Sequence, residues 1–507
     1  MTDPSHVRPS ALAPVRTGRT VVFAVGALSV GLAVGLVVSP DAARLDPPPP
    51  TAQAVVSTTF VCPDFKGAER AASTTIVATV PKGLTTGVGT RGRAVLAPLV
   101  KRGTPQAIGS IASPGGAVIV TSARSSVGPI VGAGSGWLAP GFSAGQLTVQ
   151  FSGLERGLAG IDCADVASEQ WFVGGGAATG QRTSLILVNP ESSAASVDVE
   201  IFGQAGRVDA PGGQGVVIRS RSTRVVALDT LAPGQGIIAV HVKADVGRLV
   251  MALKTTDRFG SEARGTDFVP PGTAPTRRLV IPALPSGAGS RDLLLVAPGN
   301  DDADVQIKVI GRSETFAPAG ADRFTVSAGS VRKIDLSKIL TSENSAILIE
   351  SDVPVVAGAR VRFRADGRGQ KAEYAWSAAV PPLSTSAIEA SSRVGDGFAA
   401  QLLLSSPDGV GRVEILTGAP GRAAQRRTLT INPGITYTLS LGGRGDRGQI
   451  VTVVRSLPGS APVWAGRVQT RKSLDGVLVT ISPLRDARIS VEVPQALPDL
   501  SAAVPGR

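Results

Sequence analysis

Short apolar runs of strand length, separated by turn residues, fill the chain from about residue 56 to residue 485. In one stretch they are Leu279 to Leu284, Leu293 to Val296, Val305-Ile307-Val309, Phe324 to Val326, Val331 to Leu336, Ala346 to Ile349 and Val355 to Phe363. Val305, Ile307 and Val309 alternate with polar residues, the period of a half-buried strand, and Gly311, Gly320 and Gly329 mark turns between runs. An earlier stretch reads the same way through Val197-Val199-Ile201, Val216 to Ile218, Val225 to Leu228, Ile237 to Val242 and Leu249 to Leu253. About seven strands per hundred residues predicts an all-β fold of immunoglobulin-like β-sandwiches.

The pattern repeats. Pro81, Pro190, Pro298 and Pro407 each close an apolar strand, and they lie 109, 108 and 109 residues apart. A fixed period of this size means one folding unit copied four times. The copies are expected at 56–168, 169–277, 278–385 and 386–485, with a C-terminal strand and tail at 486–507. Each opens on a similar strand, at Phe60-Val61-Cys62, Trp171-Phe172-Val173, Val280-Ile281-Pro282 and Ile388-Glu389-Ala390, with Ile489-Val491-Val493 as a fifth. A second landmark near the end of each copy is placed at Pro129 to Gly132, Leu249 to Ala252, Pro354 to Gly358 and Pro462 to Gly466. The alternative architecture is a β-propeller-like closed array, although ordinary blades place four strands in ~40–50 residues.

Residues 21–38 form an uncharged apolar run preceded by Arg8, Arg16 and Arg19. Its length suits a membrane-crossing helix better than the ~7–15-residue apolar region of a cleaved signal peptide. The expected topology is a cytoplasmic tail at 1–20, a single-pass signal anchor from Val21 to Val38, a Pro-rich linker at 39–55, and the repeats outside the cell membrane. Cys62 and Cys163 are the only cysteines, and both fall in the segment expected to be exported. A structural disulfide bracketing the first copy is the expected consequence.

A resemblance is carried by Glu169-Gln170-Trp171-Phe172-Val173-Gly174-Gly175, by Leu185 to Pro190, and by Glu350-Ser351-Asp352-Val353-Pro354-Val355-Val356-Ala357. These segments resemble a tandem repeat of bacterial secreted proteins that runs Trp-aromatic, an apolar strand, Asn-Pro, and later Ser-Asp-x-Pro-Val-Val-Ala. The layout is similar to an uncharacterised actinobacterial family of membrane-anchored secreted proteins, and the likeness covers roughly residues 56–485. It implies a β-repeat fold in the cell envelope and brings no catalytic residues. No copy keeps every landmark: Trp171 has Val280 as its counterpart, and Asn189 has Ala297 and Ser406.

Chemistry is sparse. His6 and His241 are the only histidines, and His241 is expected on a solvated strand face beside Lys243, without a catalytic partner. Asp301, Asp302 and Asp304 form the one acidic cluster and read as a solvated turn, so no metal, cofactor or catalytic residue is assigned. Arg444-Gly445-Asp446 lies in a Gly-rich turn where such a tripeptide arises by chance.

The net charge of +12 says more. Arg360, Arg362 and Arg364 alternate along one strand and so share a face, with Arg368 and Lys371 in the turn beyond. On an exported protein that face would attract anionic wall polymers, the alternative being an ordinary solvated strand face. Nucleic acid is excluded by compartment and by an aromatic content of 4%. The expected function is a non-enzymatic scaffold or interaction protein of the envelope. The competing class, a carbohydrate-binding or carbohydrate-processing module, requires aromatic side chains displayed on one face, with Trp137, Trp171, Trp376 and Trp464 as candidates.

Overall fold

Alternation in the sequence becomes alternation of burial in the computed structural model. Along Ala303–Ile310, Ala303, Val305, Ile307 and Val309 are buried, while Asp304 is exposed and Gln306 and Lys308 are half-buried. Strands with continuous apolar runs behave differently: Leu185 to Asn189, Leu293 to Val296 and Leu402 to Ser406 are buried at every position. Both faces of those strands are covered, one by the copy's own core and the other by a neighbouring copy.

The structure describes residues 50–494 except 66–71, 85–88, 90, 123–127, 365–369 and 444. The segments expected as cytoplasmic tail (1–20) and membrane anchor (21–38), nearly all of the expected linker, His6, Arg368 and Arg444 lie outside the described residues. Among the described residues no helix is long and apolar enough to cross a membrane. The four copies lie within the unit Gln53–Val491.

All four sequence copies have the same connectivity. In the fourth, strands one to eight are Ser386–Val394, Phe398–Ser406, Gly411–Gly418, Gln425–Ile431, Ile435–Leu441, Gly448–Ser456, Trp464–Ser473 and Gly476–Pro483. One sheet has the order one-six-three-four and the other five-two-seven-eight, all pairs antiparallel. In the third copy a single 19-residue strand, Ser345–Phe363, supplies strand six with its first half and strand seven with its second, crossing from one sheet to the other.

This order corrects the immunoglobulin-like expectation. The immunoglobulin fold sets strand one beside strand two and strand seven beside strand six. Here the central pairs, two with five and three with six, are kept, but the flanking strands exchange places. The cause is visible in Ser345–Phe363: the chain crosses sheets directly after strand six, which leaves the edge beside strand six to strand one.

The copies pack in a closed cycle. Each turns the outer face of its five-two-seven-eight sheet onto the copy before it. Ile186, Val188, Val250, Ala252 and Phe268 of the second copy bury against Val61, Ala159 and Ile161 of the first. Leu294, Val296, Val356, Tyr374 and Trp376 of the third join the core of the second, and Leu403, Val468, Val479 and Ile481 of the fourth join that of the third. The first copy then meets the fourth through Leu147, Val149 and Leu158 against Phe398 and Leu478. The four eighth strands, Gly157–Asp162, Glu262–Val269, Glu373–Ala378 and Gly476–Pro483, gather around the axis of the cycle.

The first-copy landmark is also corrected. Pro129 to Gly132 lies in strand six, Gly128–Gly136, whereas the other landmarks run into strand seven. Register shows the true counterpart: Gly145 pairs with Val77 as Ala252 pairs with Ile186, Gly358 with Leu294 and Gly466 with Leu403. The expected disulfide is present, joining Cys62 to Cys163 across a sequence separation of 101.

Candidate functional site

Close approach of the eighth strands depends on small residues. A Cβ on Gly157 would lie 2.6 Å from the backbone N and O of Thr266, and one on Gly160 would lie 2.9 Å from the Thr480 side chain. Where these backbones meet, polar groups from all four copies are buried together. Gly160 N donates to Asp267 Oδ1 and Thr480 Oγ1, each at 3.2 Å, and Thr480 Oγ1 donates to Asp267 Oδ1 at 2.9 Å. Arg156, 1% exposed, donates to Glu373 Oε2 at 3.4 Å, to Ala372 O at 3.4 Å and to Asp475 O at 3.0 Å. One guanidinium therefore ties the first copy to the third and fourth.

Electrostatics here are set by burial. Loss of water pushes the Asp267 and Glu373 carboxyls well above the usual carboxylate range. The Arg156 charge opposes this at Glu373 but does not cancel it. Both acids keep a proton more readily than they would in water.

Toward the C-terminal ends of the eighth strands a second charged group adjoins a cavity. Ser482 Oγ donates to Asp162 Oδ2 at 2.8 Å, and the Arg467 guanidinium lies 3.2 Å from Glu389 Oε2 and 3.4 Å from Ser391 Oγ. Burial first, then the Glu389 charge, raise the Asp162 carboxyl to about 7, against the opposing pull of Arg467, Ser482 and Arg485. The cavity, about 280 Å³, is lined by Phe60, Phe142, Asp162, Met251, Pro271 and Arg485 among others. Its other carboxylates are committed. Asp165 pairs with Arg488 at 2.7 Å, while Asp486 accepts bonds from the Ser384 and Thr385 backbone. Burial raises the Asp165 carboxyl as well, against the opposing pull of Arg488, so two of the carboxyls that line the cavity are shifted upward.

The basic face is not where the sequence reading set it. Arg360 is buried, bonded through Nε and Nη2 to Asp292 Oδ2 at 3.1 and 2.8 Å, and lies over the Trp376 ring. Arg362 bonds to Asp257 of the second copy, and Lys371 pairs with Asp475 of the fourth at 3.3 Å. Arg360 and Arg362 share a strand face, but that face turns toward the second copy, and Asp292 and Asp257 pair with them. Arg364 alone of the three is exposed.

His241 differs from expectation as well. Its Nδ1 lies 2.8 Å from Glu200 and its Nε2 2.8 Å from Glu169, and its ring stacks on Trp171 at 4.1 Å. Both ring nitrogens are thus engaged by carboxylates of its own copy. Asp302 and Asp304 serve turn contacts to Ala328 N and Thr325 Oγ1, each at 2.8 Å. Among the described residues no group of three or more His, Cys, Asp or Glu is placed to hold a metal ion. Trp171, Trp376 and Trp464 are buried and Trp137 is half-buried. Sequence reasoning missed Arg156, Asp162, Asp267, Glu373, Glu389 and Arg467, although Glu389 inside the apolar run Ile388 to Ala390 was a legible signal.

Residues 118–442 match the family of unknown function DUF5719, and the chain belongs to that family. No curated protein matches. Among solved structures the chain is similar to a Streptomyces avermitilis α-L-rhamnosidase complexed with L-rhamnose, at 11% identity and a TM-score of 0.13. The match covers 83% of this chain and 55% of the rhamnosidase, and at that level it carries no argument.

Proposed function

We propose that this chain is a non-enzymatic scaffold of the actinobacterial cell envelope, anchored by residues 21–38, whose four β-sandwich copies close into a ring outside the membrane. The observation that carries the reading is the Cys62–Cys163 disulfide. Such bonds persist in oxidising compartments, and this one joins strand one of the first copy to the residue directly after its eighth strand. The buried charges support the same reading. Arg156, Glu373 and Asp267 are spent on holding copies together, and none of Trp137, Trp171, Trp376 and Trp464, the side chains a carbohydrate module would display, is exposed. An anionic envelope component remains the proposed partner, through surfaces other than Arg360 and Arg362. In intact cells, a membrane-impermeant protease should cleave the repeats. Repeats protected until the cells are lysed would overturn the proposal.

A further inference from the structure

The turns joining strands seven and eight in the first, second and fourth copies crowd one pole of the ring, beside Arg364 and Lys371 of the third. Their proximity is direct: Lys371 N donates to Asp475 O at 2.9 Å, Arg156 reaches Ala372 O and Asp475 O, and Arg471 lies 5.7 Å from the Phe151 ring. This pole carries Phe151, Leu154, Phe259 and Leu474, exposed by 42%, 47%, 66% and 100%. Every exposed Phe or Leu among the described residues lies there, the other large exposed apolar residues being Val or Ile.

Cations surround these tips. Arg258, Arg364 and Lys472 are exposed, and Arg264 lies over the Phe259 ring at 4.6 Å. The acids nearby are largely taken, Asp257 by Arg362, Asp475 by Lys371 and Glu155 by Lys254. Glu262 is exposed.

We propose that this pole docks on an anionic lipid bilayer. Large apolar tips ringed by Arg and Lys are the composition of an interfacial membrane contact, in which the rings and leucines enter the headgroup layer and the cations meet its negative charge. A dissolved polyanion would use the cations but would leave Leu474, fully exposed, without a role. The inference deepens the envelope reading and rests on its extracytoplasmic placement.

The full chain, reconstituted through its anchor, tests it. Leu474→Cys carries an environment-sensitive fluorophore, and Val225→Cys, exposed on an outer strand, carries the same label as control. Because the anchor holds the protein on any vesicle, a difference between vesicles reports the pole and not recruitment. In phosphatidylcholine containing 30% phosphatidylglycerol, the 474 label should shift blue and be quenched by lipid-borne nitroxide, with the 225 label unchanged. In pure phosphatidylcholine the inserted fraction should fall. Arg258→Gln with Lys472→Gln should lower the inserted-to-free ratio about 25-fold, roughly fivefold per cation. A 474 label that stays aqueous on anionic vesicles overturns the proposal. A response only to soluble poly(glycerol phosphate) overturns it in favour of a wall polymer. In either case the repeats would still be open to external protease, so the scaffold reading would stand.

Discussion

Asp162 makes the ring sensitive to pH in a direction opposite to that of most carboxylates. Its folded-state pKa of about 7 lies above the ordinary value of 3.8, so the folded protein binds the proton more tightly than the unfolded chain does. The stabilising contribution is therefore full below about pH 4 and is lost as pH rises toward 7. Over that interval the difference of about 3 pH units corresponds to at most ~4 kcal/mol at 1.36 kcal/mol per unit. Asp162 is half-buried and borders the cavity, so solvent screens it, and about half of that, ~2 kcal/mol, is expected. Asp267 and Glu373 are shifted the same way and add to the trend. Thermal unfolding followed by circular dichroism should show a higher midpoint at pH 5 than at pH 7.5. Asp162→Asn, which keeps the bond from Ser482 without a charge, should flatten the slope between those values. A wild-type midpoint that rises with pH, or an Asn variant with the full wild-type slope, would refute the reasoning.

Arg156→Met should cost ~3–5 kcal/mol, because it strands Glu373 without its counter-cation and releases two backbone acceptors. At ~2.1 cal/mol/K per residue over the 439 residues of Gln53–Val491, that lowers the melting midpoint by about 3–5 °C, and a change under 1 °C would count against it. Replacing Cys62 and Cys163 together by Ser should reduce stability by up to ~4.7 kcal/mol, read from denaturant midpoints, and an unaltered midpoint removes the staple. Gly145→Val should destabilise by ~1–3 kcal/mol and expose amides of Ser386–Val394 to exchange, since even a Cβ there would lie 2.6 Å from Ser391 Cβ. Wild-type stability in that variant, alongside losses in Gly358→Val and Gly466→Val, would mean that the array does not close.

The recurrence of one strand order was legible because proline after an apolar strand is a local signal repeated at near-constant spacing. Strand positions were legible for the same reason: period-two burial in Ala303–Ile310 is already written in the residue types. Pairing partners were not. Pro129-Ile130-Val131-Gly132 resembles Pro354 to Gly358 in composition, yet one segment is strand six and the other enters strand seven, since apolar character does not name the neighbouring strand. The same gap explains the arginines. Alternation fixed that Arg360 and Arg362 share a face, but only the fold reveals Asp292 and Asp257 opposite them. The axial cluster was still less accessible, because Gly160 and Thr480 are 320 residues apart.

One recurring position shows why the chain forms a cycle and not an open row. A Cβ on Gly358 would lie 2.3 Å from Val173 O, and one on Gly466 would lie 2.5 Å from Ala283 Cβ, so each glycine seats strand one of the preceding copy. Ala252 fills the same role against the first copy, in the cluster that holds Val61. In an open row the first copy has no predecessor, and a small residue at its equivalent site, Gly145, would meet nothing. Instead Gly145 faces Ser391, on strand one of the fourth copy, with a Cβ position 2.5 Å from its Oγ. The junction used three times along the sequence is thus used a fourth time between its ends. Closure removes the exposed outer sheet face that a linear array would leave on its first copy, so every copy supplies the cover another copy needs.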